Sequence, residues 1–258
     1  MKYHEWIKSR GKRLSVMLHK PEALSPETPV VICCHGFTGE KVGANQLMLN
    51  IAKGIETDRV VVRFDFAGSG ESEGEFASDT TVKGWREDLA SVVDWVKSQP
   101  ELASSPVFLL GHSLGGLIVL LYSQQGIAGR VALAPVTRPI ANFRDILGED
   151  LWKQAERKLT IANFYNKAFS LEAGFVDDLL TGEYNPLESA AGYPEPLLII
   201  HGNNDVAVPI SGSEELFRRY AGAKDMAVMT ADHVFSGQHA ELAARVDAWL
   251  SRQIKIRP

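Results

Sequence analysis

Gly111-His112-Ser113-Leu114-Gly115-Gly116 is the segment of this chain with the most chemical content. It follows Val107 to Leu110, a short apolar run suited to a buried strand. It opens Leu117 to Tyr122, which is apolar all round, as a helix buried against a sheet would be. A serine on so tight a strand-to-helix turn needs small residues beside it. The turn then presents its hydroxyl above the sheet edge, where the helix N-terminus favours developing negative charge. That chemistry is nucleophilic attack on a carbonyl, with Ser113 as the nucleophile. A turn that only packs a helix on a strand would explain the glycines but not the serine between them.

A serine hydroxyl needs a base. Of the seven histidines, His4 and His19 fall in an N-terminal hairpin pattern, His35 and His112 lie within glycine turns, His201 ends a strand and His239 opens a helix. His233 lies in the loop Thr230-Ala231-Asp232-His233-Val234-Phe235, after the last strand and before the final helix. In open α/β sheets the loops at the carboxyl edge gather the ligand site, so His233 is the expected base. Asp205 follows the strand Leu197 to His201 and stands between Ser113 and His233, which makes it the expected orienting acid. Asp232 is the weaker alternative, because neighbouring side chains in an extended loop diverge.

The loop His35-Gly36-Phe37-Thr38-Gly39 follows the apolar strand Val30 to Cys34. It can aim a backbone N–H at a reacting carbonyl, so the N–H groups of Phe37 and Leu114 are the expected oxyanion hole. The stretch Arg63 to Ser72 is glycine-rich but lacks the Gly-Lys-Ser/Thr ending of a phosphate loop, and Asp65 reads as the residue that ties its turn together. No His-Glu-x-x-His run, Cys/His cluster or dinucleotide fingerprint is present, so neither a metal nor a cofactor is expected.

The elements that must position these residues alternate. Tyr3 to Leu18, broken at Ser9-Arg10-Gly11-Lys12, predicts a hairpin. Strands are expected at Val30 to Cys34, Val60 to Phe64, Val107 to Leu110 and Leu197 to Ile200, with shorter ones at Arg130 to Leu133 and Met226 to Met229. Val82, Trp85, Leu89, Val92, Val93 and Val96 recur at helical spacing, as do Leu242, Val246, Trp249 and Leu250. The result is an α/β fold with a mainly parallel sheet covered on both faces. Residues 138–193 show no strand pattern and are too long for an ordinary connection. They are expected to form a small helical cap inserted into a catalytic domain made of residues 1–137 and 194–258.

Composition sets outer limits. The 258 residues carry a formal net charge of -5 with no basic run, which argues against a nucleic-acid partner. The adjacent Cys33 and Cys34 would point to opposite faces of a strand and read as buried core residues, so an oxidising compartment is not implied. No apolar run reaches membrane-spanning length and the N-terminal segment is polar, so a cytoplasmic protein without a membrane partner is expected.

These motifs together resemble the α/β-hydrolase superfamily: His35-Gly36-Phe37-Thr38-Gly39, Arg63-Phe64-Asp65-Phe66-x-Gly68-x-Gly70-x-Ser72, the turn at Ser113, Gly202-x-x-Asp205-x-x-Val208-Pro209 and Ala231-Asp232-His233-x-Phe235. The resemblance runs from about residue 10 to 250 outside the cap and implies an eight-stranded sheet. The phrases around Phe37, Phe66 and His233 are most similar to bacterial carboxylesterases that include cinnamoyl and feruloyl esterases, although Leu114 stands where such enzymes often carry Gln. The resemblance implies a serine carboxylesterase acting through an acyl-enzyme on a small-molecule ester, with a small or aromatic acyl group. Trp152 and Tyr165 are the cap aromatics expected to touch it. A thioesterase, lipase or peptidase with the same residues stays open, as does a small-molecule receptor that retains them, and a homodimer is compatible with the chain.

Overall fold

The computed structural model describes residues 1–164, 169–189 and 192–256. The chain opens on the expected hairpin, β1 (Lys2–Ser9) antiparallel to β2 (Lys12–His19), with Ser9 opposite Lys12 across the Arg10-Gly11 turn. Strands and helices then alternate: β3 (Val30–Cys34), α1 (Leu47–Ile55), β4 (Val60–Phe64), α2 (Phe76–Asp79), α3 (Val82–Ser98), β5 (Val107–His112), α4 (Leu114–Leu121) and β6 (Gly129–Leu133). An insertion follows, made of α5 (Pro139–Leu147), α6 (Glu149–Glu156), β7 (Ile161–Phe164), β8 (Phe169–Leu171), α7 (Gly174–Thr181) and α8 (Pro186–Ser189). The chain returns to the sheet with β9 (Leu197–Gly202), α9 (Ile210–Arg219), β10 (Lys224–Met229) and α10 (His239–Ile256).

The main sheet has eight strands in the order β1-β2-β4-β3-β5-β6-β9-β10. The β1–β2 and β2–β4 pairs are antiparallel and the other pairs are parallel. This is an α/β-hydrolase architecture. The central strands β3, β4, β5, β6 and β9 are buried along their whole length, as continuous apolar runs demand when helices cover both faces. Alternation sorts their side chains. Cys34 enters the core shared with α3 and α4, while Cys33 enters the core shared with α1 and α10. Both thiols are free, and burial pushes that of Cys33 up to about 12.

The helix read from Val82 to Val96 forms as α3, with all six of its periodic apolar residues buried. Each such side chain withdrawn from water contributes roughly 1.5–3 kcal/mol. The Thr81 hydroxyl accepts the Gly84 N–H at 2.9 Å and caps the helix start. The Asp178 carboxylate of α7 accepts the next first-turn donor, Lys83 N–H, at 3.0 Å, so the insertion helps hold α3.

The insertion differs from the all-helical expectation. Ile161–Phe164 and Phe169–Leu171 pair antiparallel as a separate two-stranded sheet. Strands of four and three residues are too short to display a period of two. Glu172 N–H donates to the Ala77 carbonyl at 2.9 Å, seating this hairpin beside α2. No helix among the described residues is long and apolar enough to cross a membrane.

Candidate active site

Three loops at the carboxyl edges of the parallel strands converge on one pocket: the turn after β5, the loop after β9 and the loop after β10. The first carries Ser113, whose φ of 56° and ψ of -118° lie far from the ordinary regions for a residue with a side chain. Such backbone strain costs roughly 1–3 kcal/mol and persists only where its surroundings enforce it. Here they do. Ser113 N–H donates to the Leu133 carbonyl of β6 at 2.9 Å, and the Ser113 carbonyl accepts Val136 N–H at 3.1 Å. The glycines are required by close approach. A Cβ on Gly115 would fall on the carbonyls of Cys34 and His35, and one on Gly111 would fall on the carbonyl of Gly115. Ser113 thus stands at the N-terminus of α4 and lines the pocket.

The second and third loops bring Asp205 and His233 together, as expected. His233 Nδ1 donates to Asp205 Oδ2 at 2.7 Å, and the carboxylate is fully covered while the imidazole is 21% exposed. The other oxygen, Oδ1, accepts the N–H groups of Ala207 and Val208 at 2.9 Å each. Burial alone would push the Asp205 carboxyl up. Hydrogen bonds from His201 and His233 outweigh burial and hold it well below the usual carboxylate range. Asp205 is therefore an anion suited to fixing the Nδ1–H tautomer of His233 and to stabilising it when it charges. Asp232 does something else: its Oδ1 accepts Val234 N–H at 3.2 Å and Ser236 N–H at 2.9 Å, closing the loop that carries His233.

His112, which reads in the sequence only as part of a glycine turn, lies beside His233. Its Nε2 lies 2.8 Å from the His233 carbonyl, which can only accept, so Nε2 carries the hydrogen. Its ring centroid is 4.8 Å from that of His233. Burial, reinforced by the neighbouring His233, pushes His112 down to about 3, so it stays a neutral donor through the physiological range. Its sequence signal is slight, because the partner is 121 residues away.

The pocket has a volume of about 250 Å³. Its wall includes Phe37 and its neighbours after β3, together with Leu47 and Met48 of α1. The insertion contributes Ile146, and the loop after β9 contributes Ala207. Among the described residues the lining is apolar apart from the histidines, Ser113 and Thr38, with no carboxylate, lysine or arginine. Leu114 is the first residue of α4, so its N–H is among the donors that a helix cannot satisfy internally. Phe37 lines the pocket, and its ring belongs to an aromatic cluster, stacked on Phe175 at 5.1 Å and edge-on to Phe143 at 5.1 Å.

Trp152 is not among the pocket-lining residues. It is 1% exposed in the core of the insertion, and its Nε1–H donates to Glu156 at 2.8 Å. Its position in α6 directs it inward because Trp152 and Ala155, three residues apart, form the buried face of an otherwise polar helix. Tyr165 lies outside the described residues. Asp65 is structural as read, its carboxylate accepting Glu71 N–H at 2.9 Å and Lys41 N–H at 2.5 Å. Among the described residues no group of three or more histidines, cysteines and carboxylates is arranged to hold a metal ion.

Comparison with known proteins agrees with this architecture. Residues 25–169, just over half of the chain and including Ser113, match the family model of serine aminopeptidase S33. The chain is 25% identical over 220 residues to the mitochondrial palmitoyl-protein thioesterase ABHD10 of Rattus norvegicus, covering 79% of this chain and 70% of that protein. It is 23% identical over 265 residues to an uncharacterized 31.7 kDa protein of Escherichia coli, covering 88% and 91%. A structure of Est1E from Butyrivibrio proteoclasticus with bound ferulic acid superposes with a TM-score of 0.84 at 23% identity, over 97% of this chain and 99% of that one. The chain therefore belongs to the serine aminopeptidase S33 family of α/β-hydrolases.

Proposed function

We propose that the chain is a serine carboxylic-ester hydrolase working through a covalent acyl-enzyme, with Ser113 as nucleophile, His233 as base and Asp205 as the orienting acid. The observation that carries this reading is the meeting of a strained, helix-capping serine with a histidine that is bonded to a buried carboxylate and shares the same pocket. In the proposed cycle His233 Nε2 takes the Ser113 proton as Oγ adds to the ester carbonyl. The resulting oxyanion rests on the N–H groups of Phe37 and Leu114. Collapse expels the alcohol, which takes its proton from His233. A water deprotonated by His233 then adds to the acyl-enzyme, and release of the acid restores the Ser113 hydroxyl.

The pocket lining among the described residues, apolar and without a carboxylate, lysine or arginine, supports an uncharged acyl group of modest size, aliphatic or aromatic. The ferulic acid bound to the structurally similar Est1E favours testing cinnamoyl-type esters. A second reading, thioester hydrolysis, is favoured by the thioesterase named among the relatives and needs no change of machinery. The test is a rate panel of p-nitrophenyl acetate and butyrate, methyl ferulate and a short acyl thioester, with fluorophosphonate labelling of Ser113. Labelling and ester turnover that vanish together in Ser113→Ala support the proposal. Tight ester binding without turnover would assign the fold to a receptor.

A further inference from the structure

Asp205 is approached by a second imidazole that the proposed cycle does not use. His201, near the end of β9, is fully buried. Its Nε2 lies 3.0 Å from the Val208 carbonyl and 3.1 Å from Asp205 Oδ2. Both oxygens can only accept, so Nε2 carries a hydrogen, and the Val208 carbonyl takes the better-aligned share of it. The opposite nitrogen, Nδ1, lies 2.8 Å from the Ser213 hydroxyl of α9. A buried histidine satisfied by Ser213 and Val208 would need nothing more. The carboxylate oxygen it also reaches is Oδ2, the one bonded to His233.

We propose that His201 is a positioning residue for the catalytic acid: it wedges the Asp205–Val208 turn and shares its Nε2–H with the oxygen that orients His233. The proposal rests on the triad reading given above. Its physical content is twofold. The Val208 carbonyl and Asp205 Oδ2 belong to one turn, whose inner bonds run from Ala207 N–H and Val208 N–H to Oδ1. One rigid ring touching both ends therefore fixes where the carboxylate points. The added donor also withdraws charge from Oδ2, because a hydrogen bond to an ionised oxygen is stronger than one to a neutral acceptor. Without it the carboxylate becomes more basic and holds the charged form of His233 more firmly. The acid limb of kcat/KM then moves to higher pH. Among the described residues two further titratable groups act on His233. His112 remains neutral over the range concerned. Burial would raise the Asp232 carboxyl, but hydrogen bonds from the Ser236 and Val234 N–H groups hold it low, so it stays charged across that range.

Two substitutions separate positioning from packing. The amide nitrogen of Gln reaches about as far as Nε2 of histidine, and that of Asn only about as far as Nδ1. His201→Asn should lower kcat/KM for p-nitrophenyl acetate about 10-fold, mainly through kcat, and move the acid limb up by about half a pH unit. His201→Gln should keep the limb in place and stay within about 3-fold of the parent enzyme. Equal losses in both variants with unmoved limbs would overturn the proposal. Proton NMR gives an answer even if His201→Asn does not fold. The His201 Nε2–H resonance should shift when Asp205→Asn replaces the carboxylate by an amide of the same shape, and an unmoved resonance also overturns the proposal. A Ser113→Ala variant that retains esterase activity would instead overturn the triad and leave the NMR result standing.

Discussion

The sheet edge and the insertion are both rich in aromatic or polar side chains, yet they are built on different terms. At the sheet edge each residue of the candidate triad is held by hydrogen bonds: Ser113 through its backbone to Leu133 and Val136, the Asp205 carboxylate by two backbone N–H groups and His201, and His233 by Asp205 at its ring and by His112 at its carbonyl. In the insertion the large side chains hold one another. Phe143, Trp152 and Phe175 are at most 1% exposed, and among the described residues of the insertion Ile146 is the one that reaches the pocket wall. The difference teaches that direction is set by hydrogen bonds and bulk by apolar packing. Substitutions in the two regions should therefore fail in different ways, one in rate and the other in stability.

The sharpest break is Ser113→Ala. It should cut kcat by about 10³-fold or more in steady-state assays while the melting temperature changes little. Retention of most of the rate would dissolve the distinction at its source. Asp205→Asn should come next, with a loss of roughly 10²-fold in kcat, because it disturbs the tautomer of the base without removing it. Asp232→Asn, which touches only the loop closure, should stay within about 3-fold. If Asp232→Asn proves the worse of the two, the acid has been misassigned.

On the insertion side the comparison is sharpened by Trp152→Ala. It should cost about 3–5 kcal/mol in denaturant unfolding through the cavity it leaves. The folded enzyme should lose methyl ferulate and p-nitrophenyl acetate turnover in equal proportion. A selective loss of ferulate turnover would return Trp152 to the substrate site.

The smallest effect concerns pH. An unfolded histidine titrates near about 6.5, while burial pushes folded His112 down to about 3. Between those values the unfolded chain binds the extra proton, so stability is lost as pH falls through that window. Asp205 adds to this trend at its acid end. Its folded carboxyl is held low, and the stability it contributes disappears as pH falls below about 4. His112→Gln keeps a donor for the His233 carbonyl but cannot titrate. Its melting temperature should fall less between pH 7 and pH 4 than that of the parent, as differential scanning calorimetry can show.

Legibility in the sequence followed the range of each interaction. The turn at Ser113 could be read because tight backbone approach imposes glycine at Gly111 and Gly115, which is a local constraint. The hairpin, the buried strands, α3 and α10 were legible from apolar patterning for the same reason. Asp205 and His233 were legible from their places after strands, and the structure joins them. His112 was not, because its bond to the His233 carbonyl crosses the site between remote segments. His201 was not, because a histidine near a strand end looks the same whether it faces a carboxylate or a core. The β7–β8 hairpin was too short for its period to show, and Trp152 was misread because an aromatic residue in an insertion can equally line a pocket or seal a core.

The double role of Phe37 has a consequence for heat. It forms part of the pocket wall, and its ring packs against Phe143 and Phe175 from the insertion and against Phe76 of α2 at 5.5 Å. The insertion is therefore a clamp on the wall of the candidate site as well as a cover for the core. Because proteins open locally before they unfold globally, loosening of the clamp should free the pocket wall before the parallel strands part. Thermal inactivation should accordingly begin below the temperature at which the sheet melts. Stiffening the contacts between insertion and loop, rather than the sheet, is then the route to a longer-lived catalyst.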